Sequence, residues 1–371
     1  MKRISVRRVA SVIVTAMAMT LVFATLGWAM MPQWNTRPYT KHIAIASADT
    51  TITPAHANIP HEGRYRTRET RLSIKTGDGV TLPAVLREPV DAPGPRPACR
   101  SFTGPVPAVP RISAISQRHG SAGIVTLVPA KRNDNYTVLH RDYPRFAREY
   151  GRSLDVLRGR IGVDPAKTGI YAESEGTWIA TILTSKRQDI AFAILTSAPV
   201  FNGREQMAMA VSAYTHEAGA PKPVVKDMAK LMSLDYAPFD LAYADFDADR
   251  YLKSLTMPVL VNYGTYDTAM PIEQGAQRII ATANKSGNEN VTVRYFAGNH
   301  QMRLVRAYSP EPAIGRRLYA SAGNWVNGVT AGTKADGWAT LKSPVQHLTS
   351  ASPRRNVPDP VSSARLACWP V

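Results

Sequence analysis

The chain has 371 residues, 44% of them apolar, and its 45 Lys and Arg residues outnumber 28 Asp and Glu for a formal charge of +17. That length and apolar content can bury one large core and allow one or two domains, while two cysteines, Cys99 and Cys368, allow at most one disulfide. The basic excess favours anionic partners such as membrane headgroups or acidic envelope polymers, and because the basic residues are scattered, with no basic helix interleaved with aromatics, nucleic acid is not expected.

Lys2, Arg3, Arg7 and Arg8 precede an uncharged apolar run from Val9 to Met31, so residues 1–31 are expected to be a signal peptide or signal anchor of an exported protein. The run is long enough for a spanning helix of about 20 residues, and Gly27-Trp28-Ala29 and Ala46-Ser47-Ala48 both offer small-residue cleavage sites, so cutting and anchoring stay open. Residues 32–63 read as an extended linker. Residues 71–75 and 80–86, joined through Thr76-Gly77-Asp78-Gly79, read as an opening hairpin. A strand is expected at 97–102, where Cys99 packs as a small apolar group, and another at 122–128. Helical spacing follows at 143–150 and 153–157, then a strand at 168–171, a helix at 177–183 and a strand at 190–196.

Residues 201–255 are long enough for an inserted helical cap, with methionines at 207, 209, 228 and 232 that either fill core gaps or line an apolar pocket. Strands are expected at 257–264 and 291–296 and a last helix at 316–326. From residue 330 onward Pro and Ser are frequent enough to read as a C-terminal tail. Strands alternating with helices argue for a mainly parallel sheet covered on both faces, which is an α/β fold with its main domain at 64–329.

The chemistry centres on Ala172-Glu173-Ser174-Glu175-Gly176, set between the strand at 168–171 and the helix at 177–183. Small residues two positions either side of a serine let the backbone turn sharply enough to lift the hydroxyl clear of the sheet. Asp267 lies just past the strand at 257–264 and His300 just past the one at 291–296. The chain order Ser, Asp, His, each at a strand end, fits a nucleophilic triad. A neutral hydroxyl needs an imidazole to take its proton, the role of His300, and the imidazolium needs a carboxylate on its far nitrogen, the role of Asp267. The Glu175 N–H, next after the nucleophile, would hold the oxyanion. Each residue has a plainer alternative: Ser174 as a helix N-cap, Asp267 as a turn residue, and His119, His140 or His216 in place of His300. Asp235, Asp240, Asp245, Asp247 and Asp249 precede the strand rather than follow it. The histidines are isolated and none has His-Glu-x-x-His spacing, so no metal site is expected.

With Ser101-Phe102-Thr103-Gly104-Pro105 after the third strand, the chain resembles the α/β-hydrolase superfamily, specifically bacterial serine esterases and acyl thioesterase-like hydrolases with His-Gly-Ser-Gly-Pro and His-Ser-Glu-Gly motifs. The likeness covers residues 64–328. It implies an α/β-hydrolase fold with a helical cap, a Ser174, Asp267, His300 triad, no cofactor, and a small-molecule or lipid-like acyl ester or thioester as substrate. It also implies Thr103 as the second oxyanion donor. Ser101 and Phe102 replace the family's His-Gly pair, however, and Pro105 has no N–H, so a shifted register would move the donor to Gly104. Glu173 stands where the family often has histidine. A serine peptidase on the same fold, or a non-catalytic envelope binding protein that keeps it, are the alternatives.

Overall fold

The computed structural model describes residues 6–30, 50–53, 59–102, 109–132, 136–137, 140–232, 243–244, 246–267, 269–302 and 313–333. Among these residues, β1 (Thr67–Lys75), β2 (Thr81–Pro89), β3 (Arg96–Phe102), β4 (Val125–Pro129), β5 (Val163–Glu173), β6 (Ala193–Thr196), β7 (Val259–Gly264) and β8 (Val291–Phe296) form one sheet in the order β1-β2-β4-β3-β5-β6-β7-β8. The β1/β2 and β2/β4 pairs are antiparallel and the rest parallel. The parallel strands therefore present their carboxyl ends along one edge, where ligands meet open α/β sheets.

Nine helices are described: α1 (Val6–Met30), α2 (Val109–Ser121), α3 (Tyr143–Arg158), α4 (Gly176–Thr184), α5 (Gly203–Glu217), α6 (Lys222–Met232), α7 (Asp249–Leu252), α8 (Ile272–Lys285) and α9 (Ala313–Thr330). Successive strand side chains point to opposite faces, and the two larger of three buried apolar clusters follow that alternation. Ile170 and Ala172 of β5, Leu195 of β6 and Val261 of β7 pack with Phe146 and Leu154 of α3, Trp178 of α4 and Ile279 of α8. Tyr171, Ile194 and Leu260 pack on the other face with Ile115 of α2 and Leu318 and Trp325 of α9. Strands buried on both faces read as continuous apolar runs, which is why 168–171 and 257–264 stand out in the sequence.

Differences from the sequence expectations are local. The strand expected at 122–128 starts at Val125, because Gly123, at φ +87°, turns the chain out of α2 first. The two helical segments expected at 143–157 are one helix, α3, with Asp142 capping it by accepting from the Arg145 N–H at 2.8 Å. Within residues 32–63, Ile52 is fully buried, and α9 holds the stretch through Ser321 to the Thr50 carbonyl (2.9 Å) and Asn324 to the Ile52 carbonyl (2.8 Å). Three helices, α5, α6 and α7, occupy the span between β6 and β7 where a cap was expected. Cys99 is a free, fully buried thiol on β3, while Cys368 and residues 334–371 of the tail lie outside the described residues. Residues 9–26 of α1 are exposed, and Val9–Gly27 is long and apolar enough to cross a membrane, a property a signal sequence shares.

Candidate active site

β5 runs buried to Glu173 and the chain then reverses into α4 within two residues. Ser174 sits at the bend at φ +52°, left-handed backbone that costs a non-glycine residue roughly 1–2 kcal/mol. Three hydrogen bonds hold it there: Ser174 N–H to the Thr196 carbonyl (2.9 Å), and the Thr177 N–H and hydroxyl to the Ser174 carbonyl (2.8 Å each). Ser174 is not the helix N-cap: Glu175 takes that place, and its side chain makes no capping bond.

Asp267 and His300 arrive from the ends of β7 and β8. His300 Nε2 lies 2.9 Å from Ser174 Oγ, and His300 Nδ1 lies 2.9 Å from Asp267 Oδ2. Asp267 is fully buried, its other oxygen accepts from the Ala269 N–H (2.9 Å), and the His300 side chain is 25% exposed. A carboxylate closed off from water, a partly exposed imidazole and a hydroxyl on a strained bend form one continuous line. His119, an alternative to His300, is instead buried in α2, its pKa pushed down to about 4 by burial.

Main-chain stitching sets this line. Thr265 N–H donates to the Phe296 carbonyl (2.7 Å) and Tyr266 N–H to the Gly298 carbonyl (3.0 Å). Gly264 makes that approach feasible, because a Cβ there would stand 2.2 Å from the Gly298 oxygen. Ser197, after β6 and itself at φ +50°, donates to the His300 carbonyl at 2.9 Å. Asn299 accepts the Gln301 N–H on its side-chain oxygen (3.0 Å) and the Met302 N–H on its carbonyl (2.8 Å), and Met302 is buried in the α9-side core. Gln206 of α5 reaches the Ala269 carbonyl, joining the inserted helices to the Asp267 loop. The sequence carries no local signal for Ser197; Gly264 stands out only as part of the Gly-Thr-Tyr-Asp turn chemistry, and Asn299 only as a loop residue beside His300.

On the other side of Ser174, the Glu175 side chain is 8% exposed and surrounded by donors. Its Oε1 accepts from Arg141 Nη1 (2.5 Å) and the Tyr143 hydroxyl (2.5 Å), its Oε2 from the Tyr136 hydroxyl, and Lys131 Nζ stands 3.7 Å away. Lys131 lies 3.6 Å over the Tyr136 ring and Arg141 4.5 Å from the Tyr243 ring centroid. Burial, then the nearby carboxylate, raises both phenol pKa values and keeps Tyr136 and Tyr143 as donors. Nothing in the sequence analysis pointed to this cluster. Thr103, expected as the second oxyanion donor, lies outside the described residues; the chain leaves β3 at Phe102, opposite Ala172, two residues before the serine. Among the described residues no group of three or more His, Cys, Asp or Glu side chains is gathered to hold a metal.

This sheet order, with catalytic-type residues after three parallel strands, defines the α/β-hydrolase fold. The chain is similar in structure to dipeptidyl peptidase 4 from Porphyromonas gingivalis (TM-score 0.51, 14% identity), over 71% of this chain and 35% of that one, so it spans about a third of that protein's length. It is also similar to a hyperthermophilic esterase from the archaeon Pyrobaculum calidifontis (TM-score 0.51, 15% identity), over 73% of this chain and 86% of that one. No protein-family model matches the chain, and no curated protein does.

Proposed function

We propose that the protein is an exported or membrane-anchored serine hydrolase that cleaves a carboxylic ester or thioester through an acyl-enzyme. The observation that carries the reading is the hydrogen-bonded line from Ser174 Oγ through His300 to Asp267, with the serine on strained backbone. In the forward step His300 Nε2 takes the Ser174 proton as Oγ attacks the acyl carbon, and Asp267 holds the imidazolium on Nδ1. The proton then passes to the leaving alcohol or thiol as its bond to the acyl carbon breaks. Water, deprotonated by the same imidazole, releases the acid and restores the serine. Among the described residues nothing accepts from the Glu175 N–H, which leaves it free to hold the oxyanion. Thr103 remains the proposed second donor.

Helix α1 supports export or anchoring by its length and composition, and the basic excess of the chain suits an anionic envelope surface. A serine peptidase is the second reading, favoured by the likeness to the dipeptidyl peptidase; the esterase likeness extends over far more of the compared protein. The test is labelling of the full-length chain with a fluorophosphonate probe beside Ser174→Ala and His300→Ala, followed by ester, thioester and peptide substrates. Rapid labelling lost in both variants supports the reading. An unlabelled, folded wild type would sink it in favour of a binding protein on this fold.

A further inference from the structure

We propose that the Glu175 side chain is a positioning residue: gripped by Arg141, Tyr143, Tyr136 and Lys131, it orients its own N–H beside Ser174 and leaves one cation in excess next to the oxyanion. The inference rests on the Glu175 N–H serving as an oxyanion donor, as proposed above. Three observations carry it. A carboxylate at a helix N-terminus is favoured by the dipole and the unpaired first-turn amides, yet Glu175 makes no bond to them and points its side chain at four donors. These donors are close in the chain, at positions 131, 136, 141 and 143, and among the described residues none of the four touches Ser174, Asp267 or His300. The Lys131 side chain is almost fully buried, and among the described residues its Nζ meets the Glu175 carboxylate at 3.7 Å and the Tyr136 and Phe146 rings, with no hydrogen-bond partner within reach.

The charge balance gives the arrangement its purpose. A carboxylate beside a developing oxyanion opposes it, the more so where water is excluded. Two buried cations against one carboxylate reverse that sign. The groups facing Lys131 are the Glu175 carboxylate, the Arg141 guanidinium, and the rings of Tyr136 and Phe146. Neighbouring Arg132 is engaged elsewhere, with Asp78 and Glu149. Burial pushes the Lys131 ammonium down to about 8, against the pull of Glu175. The cluster is therefore net positive below about pH 8 and neutral above it.

The experiment measures kcat and KM on a p-nitrophenyl ester, thermal unfolding, and the pH profile from neutral to alkaline for the full-length wild type, Glu175→Ala, Glu175→Gln and Lys131→Met. Loss of the anchor should lower kcat about 10²-fold with KM almost unchanged. Glu175→Gln, whose one carbonyl oxygen still accepts from Arg141 and Tyr143 while its amide N–H₂ faces the Tyr136 hydroxyl as a donor, should recover kcat to within about tenfold of wild type. Wild-type kcat should fall as pH rises through about 8, and Lys131→Met should lack that limb. A folded Glu175→Ala with wild-type kcat overturns the proposal. Should Glu175→Ala fail to fold, Lys131→Met with wild-type kcat and an unchanged alkaline limb overturns it equally. A folded wild type with no activity would instead overturn the hydrolase reading on which it rests.

Discussion

The two flanks of Ser174 are built by opposite means. On the Asp267 and His300 side, the positions are set by main-chain bonds between strand ends, by Gly264, where a Cβ would stand 2.2 Å from the Gly298 oxygen, and by one serine hydroxyl on the His300 carbonyl. On the Glu175 side, the positions are set by buried charge: a carboxylate at 8% exposure, two cations and two phenols. Neutral hydrogen bonds contribute about 0.5–1.5 kcal/mol each and degrade singly. A buried ion cluster has little net worth when complete, but losing one member strands the others without water, at about 3–5 kcal/mol. Damage on the first flank should therefore appear in catalysis before stability. On the second it should appear in stability as well.

The largest expected effect is Asp267→Asn. The amide can keep the bond from the Ala269 N–H but cannot hold the imidazolium on Nδ1, so kcat should fall by about 10⁴-fold with little change in melting temperature. Steady-state kinetics beside a thermal scan check both halves; an equal loss of stability would break the contrast. On the charged flank, Arg141→Met leaves Glu175 buried with its 2.5 Å donor gone, and unfolding free energy should fall by roughly 3 kcal/mol in a urea titration. A change below about 0.5 kcal/mol would mean that water reaches the carboxylate and that the two flanks differ less than the packing implies.

The same contrast explains what could be read in the sequence. The elbow, Asp267 and His300 follow apolar runs, and a buried parallel strand announces itself by composition, so the edge carrying the three residues was legible. The helix Ile272–Lys285 went unread, although its apolar positions at 272, 276, 279 and 283 have helical spacing. What stayed hidden depends on partners distant in the chain. Ser197 meets His300 across 103 residues, and Glu175 meets Tyr136 and Arg141 across 39 and 34. No local period or turn rule records such pairs. Glu175 was picked out for its N–H alone, and its carboxylate, which the structure surrounds with donors, looked like an ordinary helix-start residue.

Gly264→Ala tests the main-chain flank more gently than Asp267→Asn. The new Cβ must displace the Gly298 and Asn299 carbonyls, and His300 with them, by enough to misalign Nε2 and Ser174 Oγ. Displacements of that order cost about 10²-fold in rate. The readout is kcat against ester, with fluorophosphonate labelling slowed in parallel and KM little moved.

The smallest effect belongs to Ser197→Ala, and it discriminates best. The residue keeps two separable features, a left-handed backbone at φ +50° and a hydroxyl on the His300 carbonyl at 2.9 Å. Alanine retains the first and loses the second, so about 1 kcal/mol of restraint on the His300 loop disappears. Glycine also loses the hydroxyl but relieves the backbone, which offsets part of the cost through the folded state. If His300 is held mainly by main-chain stitching, Ser197→Ala lowers kcat several-fold and Ser197→Gly does the same with higher stability than the alanine variant. A loss as large as that of Gly264→Ala would instead make the hydroxyl the principal restraint, and the first flank, like the second, would hang on a single side chain.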